Sequence, residues 1–364
     1  MLVYLHIPFC HRVCPYCSFY KHTPGATSIG SFVDAIVLEM KHRLPATEEK
    51  PRTLYLGGGT PSMLSPSHLS RLFTALQEHL DFSKLDEVTL EANPATFDLA
   101  KAKLFRELGV TRVSLGIQSF TSHVLEILGR EHSVAQASES VRILREAEMP
   151  SINIDLMFSI PGQSKEDWDA TLRHAISLQP DHISAYNLTY EEDTAFFESL
   201  RRGEMRENED HDAEFFHLAD ELLTAAGFDH YETSNYAQSG HHSSHNQGYW
   251  RGEDYLGLGP SAVSTLNGVR WRNLPDTASY VSQVTAVGHA LSESEMLDSE
   301  ALRLERIALG LRTRDGISLD LLNPESQKHA THLVREGLAH ISGNQLVLIH
   351  HGRALVDPIA AELV

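Results

Sequence analysis

The first half of the sequence alternates short β-rich runs with longer stretches of helical periodicity, and this pattern restricts the fold more than any other feature. The β-rich runs fall at positions 2–7, 53–56, 87–91, 112–116, 152–157 and 182–188. Six such runs separated by helices predict βα units around a parallel sheet. Periodicity alone leaves open whether the strands form part of a barrel or an open doubly wound sheet. In both folds the carboxyl ends of the strands face the ligand.

The helices between these strands carry recognisable end signals. Residues 98–108 form one predicted helix, and Gly109 follows where a left-handed cap would lie. Ser164, with Asp167 three residues later, resembles a capping box at the start of another helix. These signals support the alternation of strands and helices.

The alternation weakens in the second half of the chain. Residues 207–226 predict an acidic helix, and 231–260 predict a loop-rich segment. From Leu302 onward the pattern is helix, turn, helix and then two short strands at 338–341 and 345–349, which is the order of a winged-helix module. This stretch carries seven Lys and Arg against seven Asp and Glu, so it lacks the basic face of a DNA-binding module.

Composition narrows the classes of function. The formal net charge of −19 argues against non-specific nucleic-acid binding, because phosphate contacts need a surplus of Lys and Arg. No apolar stretch approaches the roughly 20 residues needed to cross a bilayer, and the first residues lack the basic and apolar regions of a signal peptide. We therefore expect a soluble, cytoplasmic protein with one large and one smaller domain, and no nucleic-acid partner.

All three cysteines of the chain, Cys10, Cys14 and Cys17, lie on one short loop directly after the first predicted strand. The C-x3-C-x2-C spacing allows each thiolate to hold one iron of a four-iron, four-sulfur cube. The fourth iron is then left open for a substrate or cosubstrate.

Two other interpretations of the cysteines stay open at this point. A structural zinc site normally uses a second cysteine pair, which the chain lacks, and would need a nearby histidine such as His6, His11 or His22. A disulfide fits less well, because an odd count and close spacing favour a reducing compartment.

Three glycines follow the second predicted strand. In Gly57-Gly58-Gly59-Thr60 the absence of side chains would let backbone groups approach a small polar ligand. The same residues could simply form a tight turn from strand to helix.

Polar side chains stand at or after the later strands, and these are Glu91, Gln118, Arg130 and Asp155. Carboxylates can accept hydrogen bonds from ribose hydroxyls, an amide can pair with a base or a carboxyl group, and an arginine can bind a carboxylate with two hydrogen bonds. Taken singly, each of them could instead be a structural partner of the backbone or a solvated charge.

The cysteine loop, the Gly-Gly-Gly-Thr-Pro turn and the six βα units together resemble the radical S-adenosylmethionine superfamily. The resemblance implies an α/β fold: a partial (β/α)6 barrel at 1–235, a connecting segment at 236–300 and a winged-helix-like α+β module at 301–364. It also implies a [4Fe-4S] cluster on the three cysteines, whose open iron binds S-adenosylmethionine and whose electron releases a 5′-deoxyadenosyl radical. The residues that it assigns to the cosubstrate are Tyr4, Tyr16, Gly58, Gly59, Thr60, Glu91, Gln118, Arg130 and Asp155.

The spacing of these residues resembles the porphyrin-related branch of the superfamily, which contains oxygen-independent coproporphyrinogen III oxidases and a family of haem chaperones. The oxidases have a fourth cysteine two residues after the third, where this chain has Phe19, and an extension before the motif, where this chain has nine residues. The chaperones carry a His-Asn-x-x-Tyr-Trp motif, which matches His245 to Trp250. The resemblance therefore implies a haem chaperone that supplies haem-requiring respiratory proteins at a membrane. An oxidase and a zinc protein are the alternatives.

Haem is expected near this motif. An imidazole is a common axial ligand of haem iron, so His245 is the predicted ligand, and Tyr249 and Trp250 could cover the macrocycle. Alternatively, His245 belongs to a surface cluster with His241 and His242, and the aromatic residues are simply buried. The resemblance also implies a monomer that dimerises when loaded.

Overall fold

A computed structural model describes residues 1–25, 27–44 and 50–364. The six parallel strands are β1 (Leu2–Ile7), β2 (Thr53–Gly58), β3 (Glu87–Ala92), β4 (Arg112–Gln118), β5 (Ser151–Phe158) and β6 (His182–Asn187). The later strands are β7 (Asp229–Glu232), β8 (Asn235–Ala237), β9 (Tyr255–Leu258), β10 (Val263–Leu266), β11 (Val269–Asn273), β12 (Leu291–Met296), β13 (Ile317–Ser318), β14 (Ala339–Ser342) and β15 (Gln345–Leu348).

The helices begin with those that connect the parallel strands and end in the C-terminal module. They are α1 (Ile29–Arg43), α2 (Pro66–His79), α3 (Leu99–Glu107), α4 (Ser122–Ile127), α5 (Val134–Glu146), α6 (Lys165–Ser177), α7 (Ala195–Arg201), α8 (Glu209–Ala225), α9 (Ser244–Trp250), α10 (Thr277–Val287), α11 (Ser299–Leu311), α12 (Pro324–Arg335), α13 (His351–Ala354) and α14 (Val356–Leu363).

The six predicted strands are confirmed, and they lie side by side in the order of the chain, from β1 to β6. Each pairs in parallel with the next. A doubly wound sheet would instead reverse its strand order part-way. The structure therefore selects the partial (β/α)6 barrel of the two arrangements that the periodicity left open.

The two faces of this sheet differ in chemistry. On β1, Val3, Leu5 and Ile7 are fully buried in the main hydrophobic core beneath the helices, whereas Tyr4 and His6 alternate with them. Each fully buried Leu or Ile contributes about 1.5–3 kcal/mol through its removal from water. The other strands repeat the alternation, so the inner face is polar and leaves room for a cavity.

The predicted helix ends are confirmed. Asp98 caps α3 by accepting a hydrogen bond from Lys101 N–H, and Gly109 follows the helix with φ of +96°. Ser164 and Asp167 form both hydrogen bonds of a capping box at the start of α6. The acidic helix expected at 207–226 is α8.

The prediction of a loop-rich segment at 231–260 is wrong. The segment contains parts of β7, the strands β8 and β9, and the helix α9 that carries the His-Asn-x-x-Tyr-Trp motif. These elements are three to seven residues long, too short for a clear hydrophobic period, and tertiary contacts hold them. Gly248 of α9, for example, packs directly on Leu2 of β1.

Strands from the expected connecting segment join the main sheet. β9 pairs in parallel with β1 on the side opposite β2, and β10, β11 and β12 continue outward from β9 as antiparallel strands. At the other edge, β8 and β7 pair antiparallel beyond β6. The domain limits 1–235, 236–300 and 301–364 stay a prediction.

The C-terminal module has the expected helix, turn, helix and two strands, with a core of its own. Its strands order as β13, β15 and β14, and β13, α13 and α14 were not predicted. Among the residues that the structure describes, no helix has the length and apolarity that a bilayer crossing requires.

A cysteine-lined cavity as the candidate functional site

A cavity of about 500 Å³ opens inside the partial barrel, at the carboxyl ends of its strands. It brings together most of the residues that the sequence singled out, namely Cys10, Cys14, Cys17, Tyr16, Gly58, Gly59, Glu91, Gln118, Arg130 and Asp155. Tyr4, Thr60 and His245 lie outside its lining.

Backbone hydrogen bonds shape the cysteine loop between β1 and α1. Cys10 N–H donates to His22 O at 3.0 Å, and His22 N–H donates to Pro8 O at 2.8 Å, so the two ends of the loop are held side by side. Thr277, the first residue of α10, fixes the segment after the loop: its Oγ1 lies 2.7 Å from His22 Nε2, and its N–H donates to Tyr20 Oη at 2.9 Å.

The three cysteines are free thiols that face one cavity. Burial raises the pKa of the Cys10 and Cys17 thiols, so these groups favour the neutral form until a metal displaces the proton. Two polar groups touch the sulfurs: Thr60 Oγ1 lies 3.5 Å from Cys10 Sγ, and Arg130 Nη1 lies 3.6 Å from Cys14 Sγ.

Within the described residues, no group of three or more His, Cys, Asp or Glu side chains is close enough to hold a single metal ion. A zinc ion needs four ligands within about 2.3 Å of one centre. A four-iron cluster instead takes one thiolate on each iron, so its ligands stand farther apart. Three separated thiols around one cavity fit the donor set of such a cluster.

The glycine turn lies directly beneath the cysteine loop. Gly59 N–H donates to Ile7 O and Thr60 N–H to Phe9 O, each at 2.8 Å. A Cβ at Gly59 would lie 2.7 Å from both carbonyl oxygens, and Gly58 has φ of +104° with the His6 ring 2.4 Å from where a Cβ would be. Both glycines are therefore required for the close approach of the two loops.

Two carboxyl groups face the cavity, one from β3 and one from β5, on either side of β4. Glu91 accepts hydrogen bonds from Tyr55 Oη at 2.8 Å and Gly58 N–H at 3.0 Å, and burial raises its pKa to about 7. Asp155 accepts from Ser114 Oγ at 2.9 Å, and burial raises its pKa as well. A cation or a set of hydroxyl donors in the cavity would stabilise the ionised forms of both groups.

Arg130 is fixed at the border between the cysteine loop and the cavity. Its Nη2 donates to Asn93 Oδ1 at 2.7 Å and to Gly116 O at 2.5 Å, which leaves Nη1 directed at Cys14. Gln118, at the end of β4, has φ of +73°, an unusual backbone conformation for a residue with a side chain. Such strain often accompanies a functional position.

Aromatic rings line two levels of the site. Tyr16 packs 6.2 Å from Phe196 against a small apolar cluster at the cavity wall. Tyr4 lies deeper, where its hydroxyl is 3.1 Å from His6 Nδ1 and its ring stacks on Tyr55 at 6.0 Å.

His245 lies at the opposite, amino-terminal end of the strands, on α9. Its Nδ1 is 2.8 Å from Thr53 Oγ1, its ring stacks on Tyr55 at 5.0 Å, and it is 1% exposed. Burial lowers its pKa to about 3, and its Nε2 has no hydrogen-bond partner within the described chain. The alternative that His245 belongs to a surface cluster with His241 and His242 is therefore wrong. The role of His245 as an iron ligand stays a prediction.

A row of hydrogen bonds joins the cavity to the start of α9. Asn153 Nδ2 donates to Asp155 Oδ1 at 2.7 Å, and Asn153 Oδ1 is 2.6 Å from His182 Nδ1. His182 Nε2 is 2.7 Å from Tyr231 Oη, which accepts from Ser243 N–H at 3.1 Å. The floor of the cavity and the motif helix are thus parts of one buried polar network.

Sequence reasoning missed several residues of the cavity wall, including Tyr55, Ser114, Asn153, Ser184, Tyr186 and Asn246. The period of two on the strands could have found Ser114 and Asn153, because alternate residues of a strand share a face. Asn246 belongs to the His-Asn-x-x-Tyr-Trp motif, but the motif did not predict that it reaches this cavity from α9.

The chain resembles proteins of known families over its whole length. Residues 4–175 match the Radical SAM superfamily model. The protein named Heme chaperone HemW from Lactococcus lactis subsp. lactis (strain IL1403) is 36% identical over 318 residues, which cover 87% of this chain and 83% of that protein. Its namesake from Mycobacterium tuberculosis (strain CDC 1551 / Oshkosh) is 34% identical over 368 residues, covering 100% and 94%.

The fold also matches a solved structure, that of coproporphyrinogen III oxidase (HemN) from Escherichia coli. The TM-score is 0.85 at 24% identity, over 100% of this chain and 89% of that one. The Radical SAM match implies a [4Fe-4S] cluster and S-adenosylmethionine as cofactors. Because relatives of this name are matched over nearly their full length at more than 30% identity, the chain belongs to the HemW family of radical SAM proteins.

Proposed function

We propose that this protein is a haem chaperone, which binds haem and transfers it to haem-dependent proteins. The observation that carries this proposal is the 34% identity over 368 residues, from one end of the chain to the other, with a protein named as a haem chaperone. The His-Asn-x-x-Tyr-Trp motif on α9 supports it, as does Phe19 where the related oxidases have a fourth cysteine.

The cofactors of the proposed function are a [4Fe-4S] cluster on Cys10, Cys14 and Cys17, and S-adenosylmethionine in the cavity beside it. The three free thiols around one cavity support the cluster. When bound, the pair supplies one-electron reductive cleavage of a sulfonium.

The protein groups around the cavity have distinct roles in this proposal. Arg130 offers a buried positive charge to a carboxylate next to Cys14, and Gln118 offers an amide from the end of β4. Glu91 and Asp155 accept hydrogen bonds from amino and hydroxyl groups.

Tyr16 and its apolar neighbours exclude water from one side of the nucleotide, while Gly58, Gly59 and Thr60 hold the cysteine loop in place. Tyr4 supports Tyr55 from below.

The recipients in this proposal are respiratory haem proteins at a membrane, which the protein approaches from the cytoplasm as a monomer that dimerises when loaded. Three cysteines kept as thiols suit a reducing compartment. A net charge of −19 suits partners other than nucleic acids.

Haem titration of the anaerobically reconstituted protein tests the proposal. We expect brown protein with about four irons per chain, a Soret band on addition of haemin, and loss of that band when an apo-haem protein is added as acceptor. His245→Ala tests the predicted iron ligand: the Soret maximum shifts if this imidazole binds the iron, and it stays unchanged if haem lies elsewhere on the protein.

Coproporphyrinogen III oxidase is the second candidate function, favoured by the fold match with HemN. Incubation of the reduced, loaded protein with coproporphyrinogen III separates the two. Formation of protoporphyrinogen, without stable haem binding, would replace the chaperone proposal with the oxidase.

A further inference from the structure

The motif helix α9 has a second face, which points away from the barrel. Gln247, Trp250 and Arg251 of this face line a cavity of about 350 Å³, a size in the range of ligand pockets. The opposite wall belongs to the C-terminal module, with Arg306 of α11 and Arg314 after it. We name this cavity, between α9 and the C-terminal module, the arginine cleft.

The floor of the arginine cleft is aromatic. Trp250 meets Tyr231 edge to face, with ring centroids 5.7 Å apart, and Ile317 and Leu321 add apolar surface from the module. Rings in this arrangement offer a flat ligand both area and favourable ring contacts. The cleft therefore offers a planar ligand an aromatic and apolar patch, within a lining that also contains the polar side chains of Gln247, Thr313 and Ser318.

The rim of the cleft is cationic. Arg251, Arg306 and Arg314 line it against one acidic residue, Asp315, in a chain whose net charge is −19. Such a local reversal of charge favours an anionic ligand.

The arginines of the rim retain free donors. Arg314 Nη1 lies 2.5 Å from Asp229 Oδ2, and Arg306 Nη1 donates to the backbone oxygen of Arg251. Within the described chain these contacts use one nitrogen of each guanidinium, although each carries five N–H groups. The unused groups can form paired hydrogen bonds with a carboxylate.

The enclosed position of His245 bears on where haem can bind. A macrocycle on that side of α9 would have to enter the space between Thr53, Tyr55 and Tyr249, where the imidazole is 1% exposed. The arginine cleft, in contrast, is already open beside the same helix.

We infer that the arginine cleft is the haem subsite, with the macrocycle against Trp250 and Tyr231 and the two propionates on Arg306 and Arg314. This inference rests on the proposed function, because it assigns a location to the haem of that proposal. It makes the C-terminal module one wall of the binding site, so that haem lies between the module and the motif helix.

The first test compares two ligands on the unmodified holoprotein, haem and its dimethyl ester, in which both propionates are blocked. Charge-assisted hydrogen bonds to the propionates predict that the ester binds about tenfold more weakly or worse, measured by Soret titration. Equal affinity for the two ligands would overturn the inference, and this measurement requires no variant to fold.

The second test removes the rim charges with the double substitution R306Q and R314Q. Its matched control is K328Q with R335Q, which removes two charges from exposed positions of α12 in the same module. We expect the rim variant to bind haem about tenfold more weakly while its affinity for the ester is unchanged. The control should match the unmodified protein with both ligands.

The outcomes separate this inference from the proposed function. If the unmodified protein binds haem and the rim variant binds it equally well, the cleft is not the subsite and the chaperone proposal stands. If the unmodified protein binds no haem, the proposed function itself fails, and the subsite fails with it.

Discussion

Glu91 is a carboxyl group whose ionisation the fold opposes. Burial is the main cause of its pKa of about 7, and the nearby charge of Asp155 adds to the effect. The hydrogen bonds from Tyr55 and Gly58 act in the opposite direction and only partly compensate. The apoprotein therefore carries a destabilising charge in its cavity at neutral pH.

This shift predicts a pH dependence of stability. Between about pH 4.5 and 7 the folded protein holds a proton that the unfolded chain has released, so the free energy of unfolding falls as the pH rises through this window. Glu91→Gln removes the titrating group. Urea unfolding at pH 5 and pH 8 should show a loss that is about 2 kcal/mol larger in the unmodified apoprotein than in the variant.

Glu107→Gln is the control for this prediction, because Glu107 is an exposed residue of α3. It should leave the pH dependence unchanged. If Glu91→Gln follows the same curve as the unmodified protein, the carboxyl group ionises freely in the fold.

Tertiary contacts with the barrel hold the short motif helix α9 in place. Its amino end is fixed by Glu87, which accepts a hydrogen bond from Ser244 N–H at 2.8 Å. On the side facing β1, a Cβ at Gly248 would lie 2.6 Å from Leu2 Cδ2. The helix can therefore approach the barrel this closely only because residue 248 is a glycine.

Gly248→Ala should consequently destabilise the protein by about 1–3 kcal/mol, because the added methyl overpacks a fully buried contact. Urea unfolding would measure this loss. In a Leu2→Ala background, where the clash is relieved, Gly248→Ala should cost less than it does in the unmodified protein. Gly30→Ala is the matched control: it also lies in a helix, α1, but its Cβ would meet nothing closer than 3.8 Å. Gly30→Ala should leave the free energy of unfolding unchanged or raise it slightly. An unchanged free energy of unfolding in Gly248→Ala would contradict the packing argument.

The elements that the sequence predicted are those with a local signal. The runs at 2–7 and 182–188 alternate apolar residues with others, and β1 and β6 formed within one residue of those limits. Helix α9 was missed because its seven residues include Gly248 and several polar side chains, so only contacts with Leu2 and Glu87 define it.

The same reasoning applies to the cavity. Spacing alone singled out the cysteines, Glu91 was singled out at the end of the third predicted strand, and Asp155 was singled out within the fifth. Tyr186 is an ordinary strand residue by sequence, and it lines the cavity because the curved sheet encloses its face. Whether an inner face encloses a cavity or a packed core depends on tertiary contacts that no local pattern records.

At the scale of the molecule, several arginines link the C-terminal module to the rest of the chain, and Arg312 is one that pairs with a buried carboxylate. Arg312 Nε lies 3.1 Å from Glu232 Oε1, and its Nη1 lies 2.8 Å from Asp357 Oδ1. The Glu232 side chain is only 3% exposed. Backbone hydrogen bonds from Thr233 to Arg312 and from Arg314 to Tyr231 run beside this pair.

Arg312→Ala should loosen this junction. Removal of the cation leaves the buried Glu232 carboxylate with hydrogen bonds from Ser234 N–H and Asn235 Nδ2 but without its charged partner, which costs about 3 kcal/mol. We expect the C-terminal module to become sensitive to limited proteolysis and to melt before the barrel. Arg142→Ala, which breaks exposed pairs with Glu139 and Glu146, should cost much less, because solvent screens exposed ion pairs. A single transition with unchanged protease resistance in the Arg312 variant would show that other contacts hold the module.

The pairing of β9 with β1 affects how the protein matures during synthesis. Leu2–Leu5 lie between residues 53–56 on one side and 255–258 on the other, and Thr277 fastens the segment after the cysteines. On the ribosome, the first strand therefore waits with one edge unpaired until residue 258 has emerged. The strands and contacts around the cysteine loop are therefore complete only after residues 255–258 and Thr277 have been translated.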